Sequence, residues 1–183
     1  MMRFAFLSSL NELLNDPLAF LESLLYRVPA MLIALVLHEW AHGFVAYKLG
    51  DPTAKQMGRL SLNPLRHLDP LGTALLFLVG FGWAKPVPID PRYFKNKHRD
   101  DLLVSIAGIT MNLIIFIVFY TLYYVALRAA VSCGFLVRWQ GAFYYAENKS
   151  WLFDYLTGVM QYTAVISLSL AVFNLLPVPP LDV

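Results

Sequence analysis

Cysteine is almost missing: Cys133 is the only one in 183 residues. One thiol closes no internal disulfide and excludes a thiolate-rich zinc site, so any metal must be held by His and carboxylate. Charge is scarce too, with 14% Asp, Glu, Lys and Arg against 58% hydrophobic residues. That balance, with a mean hydropathy of +0.58, excludes an ordinary water-soluble domain. It describes a membrane-embedded chain short enough for one compact domain. The net charge is only +2, yet nine of the 14 Lys and Arg lie from Lys48 to Arg99. Hydrophobic runs on both sides of that stretch argue against a nucleic-acid partner, and the positive-inside rule assigns it to the cytoplasm.

What the chain does contain is an apolar run interrupted by three ionisable residues. Met31 to Leu37 and Gly43 to Tyr47 flank His38-Glu39-Trp40-Ala41-His42. Histidines four apart stack on one helix face, so both imidazoles can reach one metal ion while the neighbouring Glu points at its water. This is the H-E-x-x-H signature of metalloproteases. Residues 28 to 49 are also long enough to cross a bilayer, at about 1.5 Å per residue. The plain alternative is a set of partnered interior polar groups without chemistry. At the centre of a bilayer, however, each ionisable group costs about 2.5 to 3.5 kcal/mol and is normally kept for function. A metal centre is therefore expected.

Along the chain, residues 4 to 26 are apolar in part but interrupted by Asn11, Glu12, Asn15, Asp16 and Glu22. They read as an interfacial amphipathic helix, and no small-residue cleavage site supports a signal peptide. The first span, about Val28 to Leu49, ends at Gly50-Asp51-Pro52, a glycine cap before a helix-stopping proline. With Lys48 at the cytoplasmic interface, His42 lies about 9 Å and His38 about 15 Å inward. Residues 51 to 70 read as an irregular cytoplasmic segment, with His67 and Asp69 structural or solvated rather than ligands. Leu71 to Trp83, at 13 residues, is too short to cross and is expected to enter and leave on one face.

The stretch from Gly80 to Ile89 combines Gly80 and Gly82 with Pro86 and Pro88. A plain re-entrant turn and an extended edge that holds an unwound substrate by strand addition fit it equally. In the second reading Gly80, Gly82, Pro86 and Val87 bind substrate. Leu102 to Leu127 is a second span whose first turns carry Ala107, Gly108 and Asn112. Small residues there let another helix or the site come close, and an Asn in such a helix is either interhelical glue or catalytic. Residues 128 to 154 read as an outer loop, and about Tyr155 to Leu176 crosses back, which returns Asp182 to the depth of His38 and His42. The expected fold is thus an all-α membrane protein. It has about three transmembrane helices, an N-terminal interfacial segment over 1–27, and a core over 28–183 with a re-entrant or extended stretch at 71–89.

A catalytic zinc takes three protein ligands and leaves a position for water. Glu147 would suit a gluzincin pattern but falls in the outer loop. Asp182, behind a Pro-Val-Pro-Pro segment that cannot be helical, is the preferred third ligand.

Taken in order, several stretches resemble the site-2 proteases, intramembrane zinc metalloproteases, in their compact bacterial and archaeal form. These are HEWAH at 38–42, GDPTAKQMGRLSLNP from Gly50, GWAKPVP at 82–88, Ala107-Gly108 with Asn112, and NLLPVPPLD from Asn174 to Asp182. The resemblance implies one Zn2+ per chain on His38, His42 and Asp182, with Glu39 as general base. It also suggests that Asn112, with Asn174 second, positions the scissile peptide or its oxyanion. The expected partners are a transmembrane protein substrate and the lipid bilayer, and the expected place is a multi-pass membrane protein with its site toward the cytoplasmic side. Two departures stand out: Ile109 where the family usually has Pro, and Val183 where the family motif continues Leu-Asp-Gly. The core is accordingly either truncated at Val183 or naturally ended there. The alternatives are an inactive metal-binding scaffold, against which the intact Glu39 argues, and a gluzincin-type membrane protease using Glu147.

Overall fold

Each long helix starts at a side chain that caps a free backbone N–H. In the computed structural model, which describes residues 14–72, 75, 83–139, 141–146 and 150–175, Asp16 opens α1 (Pro17–Lys48) by accepting from the Ala19 N–H at 3.0 Å. Asn96 caps Arg99 at the start of α3 (Lys97–Ser132), and Ser150 caps Phe153 at the start of α4 (Trp151–Asn174). Between α1 and α3 lies the one-turn helix α2 (Thr53–Gln56). Between α3 and α4 an antiparallel hairpin pairs β1 (Leu136–Trp139) with β2 (Ala142–Tyr145), Leu136 opposite Tyr145.

The three long helices are each long and apolar enough to cross a membrane, and their burial pattern is the reverse of a soluble bundle. Leu113, Ile114, Ile117, Val165 and Val172 face outward, whereas α4 turns Thr157, Thr163, Ala164, Ser167 and Ala171 inward. In hydrocarbon there is no hydrophobic drive between helices, so small residues that permit close backbone contact make the interface. The buried hydroxyls of Thr157 and Thr163 donate to carbonyls one turn back, Phe153 and Val159, each at 2.7 Å, and so carry no unmet demand into the interface. α3, with 36 residues, is about 54 Å long, more than a hydrocarbon core of about 30 Å requires.

Two expectations change. α1 begins at Pro17 and runs without interruption through the expected boundary at 27/28, with Pro29 inside it. The Asp16 cap and a proline at the first helical position make a start that the interrupting polar residues concealed. The stretch expected as an outer loop is in part ordered: α3 continues to Ser132, and the hairpin closes over it. There Leu127, Ala130 and Leu136 are buried against Phe135, Phe143, Tyr145 and Phe153. Residues 73, 74 and 76–82 of the expected re-entrant stretch, Gly80 and Gly82 among them, lie outside the described residues, as do Glu147 and Asp182.

Candidate metal centre

α1 places His38 and His42 one turn apart, facing α3, and both are buried. Their Nε2 atoms are 3.0 Å apart, close to the spacing of about 3.3 Å that one tetrahedral zinc imposes on two imidazoles. The far nitrogens are held by α3. His42 Nδ1–H donates to the Val104 carbonyl at 2.8 Å, and His38 Nδ1 lies 2.9 Å from the Asn112 amide nitrogen. A proton kept on His42 Nδ1 leaves its Nε2 as a lone pair, the form a metal requires.

Between Val104 and Asn112, on the same face of α3, stands Gly108. A Cβ added there would press on His42 Nε2 and stand 2.7 Å from His38 Nε2. The missing side chain therefore leaves an empty cradle in front of both Nε2 atoms, and a pair of imidazoles facing one such space fits a zinc ion. Three donors are not complete within the described part: among the described residues no cluster of three His, Cys, Asp or Glu forms. Asp182 and Glu147, the two expectations for the third ligand, fall outside it. Asn174 is the last residue of α4 and is half-buried.

Glu39 lies beside this pair, and its Oε2 accepts from the Val87 N–H at 2.8 Å. A cavity of about 200 Å³ opens there, lined by Glu39, His42, Pro86, Val87, Asp101 and Ser105 among others. Residues 85 to 90 take no regular secondary structure, and Pro86 and Pro88 keep them out of a helix. They approach α1 closely, since a Cβ on Gly43 would stand 3.0 Å from Val87 Cγ1. Pro86 and Pro88 have no N–H, and Val87's is already taken by Glu39. What this segment can still offer an added strand is mainly carbonyl acceptors.

The segment is strapped in place by residues that motif reading passed over. Asp51 is fully buried. Its Oδ2 accepts from the Asp90 N–H at 2.7 Å, and its Oδ1 accepts from the Thr53 N–H and hydroxyl at 2.9 and 2.5 Å. Arg59 donates to the carbonyls of Lys85 and Pro86 at 2.6 and 3.2 Å. His67, buried, donates from Nε2 to the Ser61 carbonyl at 2.7 Å and accepts the Lys85 N–H on its own carbonyl at 2.8 Å. Burial pushes the His67 imidazole below its ordinary pKa. It works as a structural residue. The Asp-x-Thr spacing at 51 and 53 was a legible turn signal, but nothing local marks Asp51 as buried.

A family model described as "Peptidase family M50" matches residues 26–182. "Putative zinc metalloprotease YwhC" of Bacillus subtilis is 42% identical over 161 residues, 86% of this chain and 65% of that protein. "Putative zinc metalloprotease Rip2" of Mycobacterium tuberculosis is 30% identical over 172 residues, covering 91% of this chain and 58% of its own length. Its namesake in Mycolicibacterium smegmatis is 28% identical over 172 residues. The chain thus spans less than two thirds of these relatives. No solved structure matches it.

Proposed function

The chain belongs to peptidase family M50, and from that premise we propose that it is a zinc-dependent intramembrane endopeptidase. Its substrates are transmembrane helices, cut near the cytoplasmic face. The observation that carries this reading is the convergence of the His38 and His42 Nε2 atoms on the cradle left by Gly108, with Glu39 beside them at the edge of a cavity.

His38 and His42 would hold the ion together with Asp182, one zinc per chain. The bound metal supplies Lewis acidity, which acidifies water and polarises a carbonyl. Glu39 takes the proton of the attacking water and returns it to the departing amine nitrogen. Its carboxylate is kept aimed by the Val87 N–H until a substrate arrives. A helical substrate hides its peptide bonds in its own hydrogen-bond ladder, so it must unwind locally. The segment with Gly80, Gly82, Pro86 and Val87 receives it in extended form. Asn174 stands with these as a polar group for the scissile peptide. The excess of Lys and Arg from Lys48 to Arg99 supports a cytoplasmic location for this end of the bundle.

The test pairs metal content of the detergent-purified protein with cleavage of a synthetic transmembrane substrate. Near-stoichiometric zinc in both wild type and Glu39→Gln, with cleavage only by the former, supports the reading. Cleavage indifferent to Glu39 overturns it.

A further inference from the structure

The histidine pair has a proton too many. Asn112 is fully buried, and its amide nitrogen lies 2.9 Å from His38 Nδ1. With Nδ2–H donating, Nδ1 is the bare nitrogen of a neutral ring, so the ring proton sits on Nε2. It then points at His42 Nε2, 3.0 Å away, whose own proton is engaged on the other side with the Val104 carbonyl. The chain of donors is consistent: Asn112 to His38, His38 to His42, His42 to Val104. Yet it leaves a proton where a metal ion needs a lone pair. It also leaves Asn112 Oδ1, buried and without a hydrogen-bond partner among the described residues. A buried acceptor left unmet costs about 1 to 3 kcal/mol.

Both defects have the same remedy. Turning the Asn112 amide by 180° exchanges its donor and acceptor with almost no movement of heavy atoms. Oδ1 then faces His38 Nδ1, accepts a proton there, and leaves Nε2 bare. We propose that Asn112 is a positioning residue that sets the tautomer of His38 by turning its amide, so that the metal-free pair is closed by a hydrogen bond and the metal-binding pair presents two lone pairs. The inference rests on His38 and His42 being zinc ligands. It gives Asn112 a role through His38 in place of the direct contact with the scissile peptide that the family resemblance suggested. The placement explains why the amide sits on the same face of α3 as Val104: one turn of that face orients each imidazole, and Gly108 between them keeps the space open.

The test uses the whole chain in detergent, with selective 15N labelling of histidine and zinc titrated against a competing chelator. In the metal-free wild type, the His38 Nε2 signal should report a protonated nitrogen, and zinc should move that proton to Nδ1. Asn112→Asp keeps the shape and offers only acceptors. It should hold His38 in the Nδ1–H form before any zinc is added and retain zinc affinity. Asn112→Leu should weaken zinc binding by about 10- to 100-fold, and the Asp variant should be the one that rescues it. The same His38 tautomer in wild type and Asn112→Asp overturns the inference. So does Asn112→Leu with wild-type zinc affinity and lost turnover, which would place the amide on the substrate instead. A wild type that binds no zinc takes down the functional reading itself, a result distinct from either.

Discussion

The two ends of α3 are held by different physics. At its N-terminal end, buried polar groups meet named partners: Asp100 accepts from the Asn96 N–H, Val104 and Asn112 hold the imidazoles, and Asp51 and Arg59 strap residues 85 to 90 across the site. At its C-terminal end, Leu127 and Ala130 pack under the hairpin against rings that meet edge to face, with Phe135 at 5.2 Å from Tyr145 and 5.4 Å from Phe153 between centroids. The first arrangement is directional, so a single atom changed removes a function without loosening the helices. The second is additive. It loses stability in proportion to the area removed and should leave the chemistry untouched.

Gly108→Ala is the sharpest way to break that contrast. One methyl group would press on His42 Nε2, so the imidazoles must shift: zinc binding should be lost altogether and the thermal transition lowered, while helicity stays as in the wild type. Near-stoichiometric zinc in this variant would refute the assignment of the cradle. At the other end, Phe135→Ala should lower stability by about 2 kcal/mol, less than the 3 to 5 kcal/mol of a fully buried Phe because this ring is half-buried. Its zinc content should not change, and denaturant titration with metal analysis checks both halves.

A smaller effect is expected from Asp51→Asn, which exchanges part of the acceptor set for a donor. Weakening the strap by about 1.4 kcal/mol would raise hydrogen exchange at the Asp90 amide about tenfold, with the hairpin amides unaffected. The least effect belongs to pH. His67 has a folded-state pKa below its ordinary value of 6.5, so as pH falls below about 6.5 the opened loop takes up a proton before the native one does. Stability of residues 61–68 is therefore present above that pH and declines as pH falls toward the folded value. The protection factor of the Lys85 amide, its exchange rate corrected for the intrinsic pH dependence of amide exchange, should fall from pH 7 to pH 5 in the wild type and stay flat in His67→Gln.

Much of this was legible without coordinates. Three apolar runs announce a membrane-spanning bundle, and the spacing of His38 and His42 puts two imidazoles on one helix face, because hydropathy and helical period are local properties. The start of α1 was misread because Asn15, Asp16 and Glu22 look like interruptions, although Asp16-Pro17 is itself a start signal. The hairpin was passed over because Gly141 lies between short, aromatic segments that also suit a membrane interface. His67 was read as a structural or solvated residue, but its part in holding Lys85 depends on a partner 18 positions away in the chain.

By itself the sequence determined which groups meet within one helix: His38 and His42 share a face because residues four apart always do. It also determined that 85 to 90 is not helical, because Pro86 and Pro88 lack the N–H that a helix interior needs. Only the tertiary structure decided that Val104, Gly108 and Asn112 are the face of α3 turned toward the imidazoles, and that the Val87 N–H is the one aimed at Glu39. Helical period makes a face but does not say what lies opposite it. That is set by how closely two helices approach and at what rotation, and here both bring Gly108 directly against the two imidazoles.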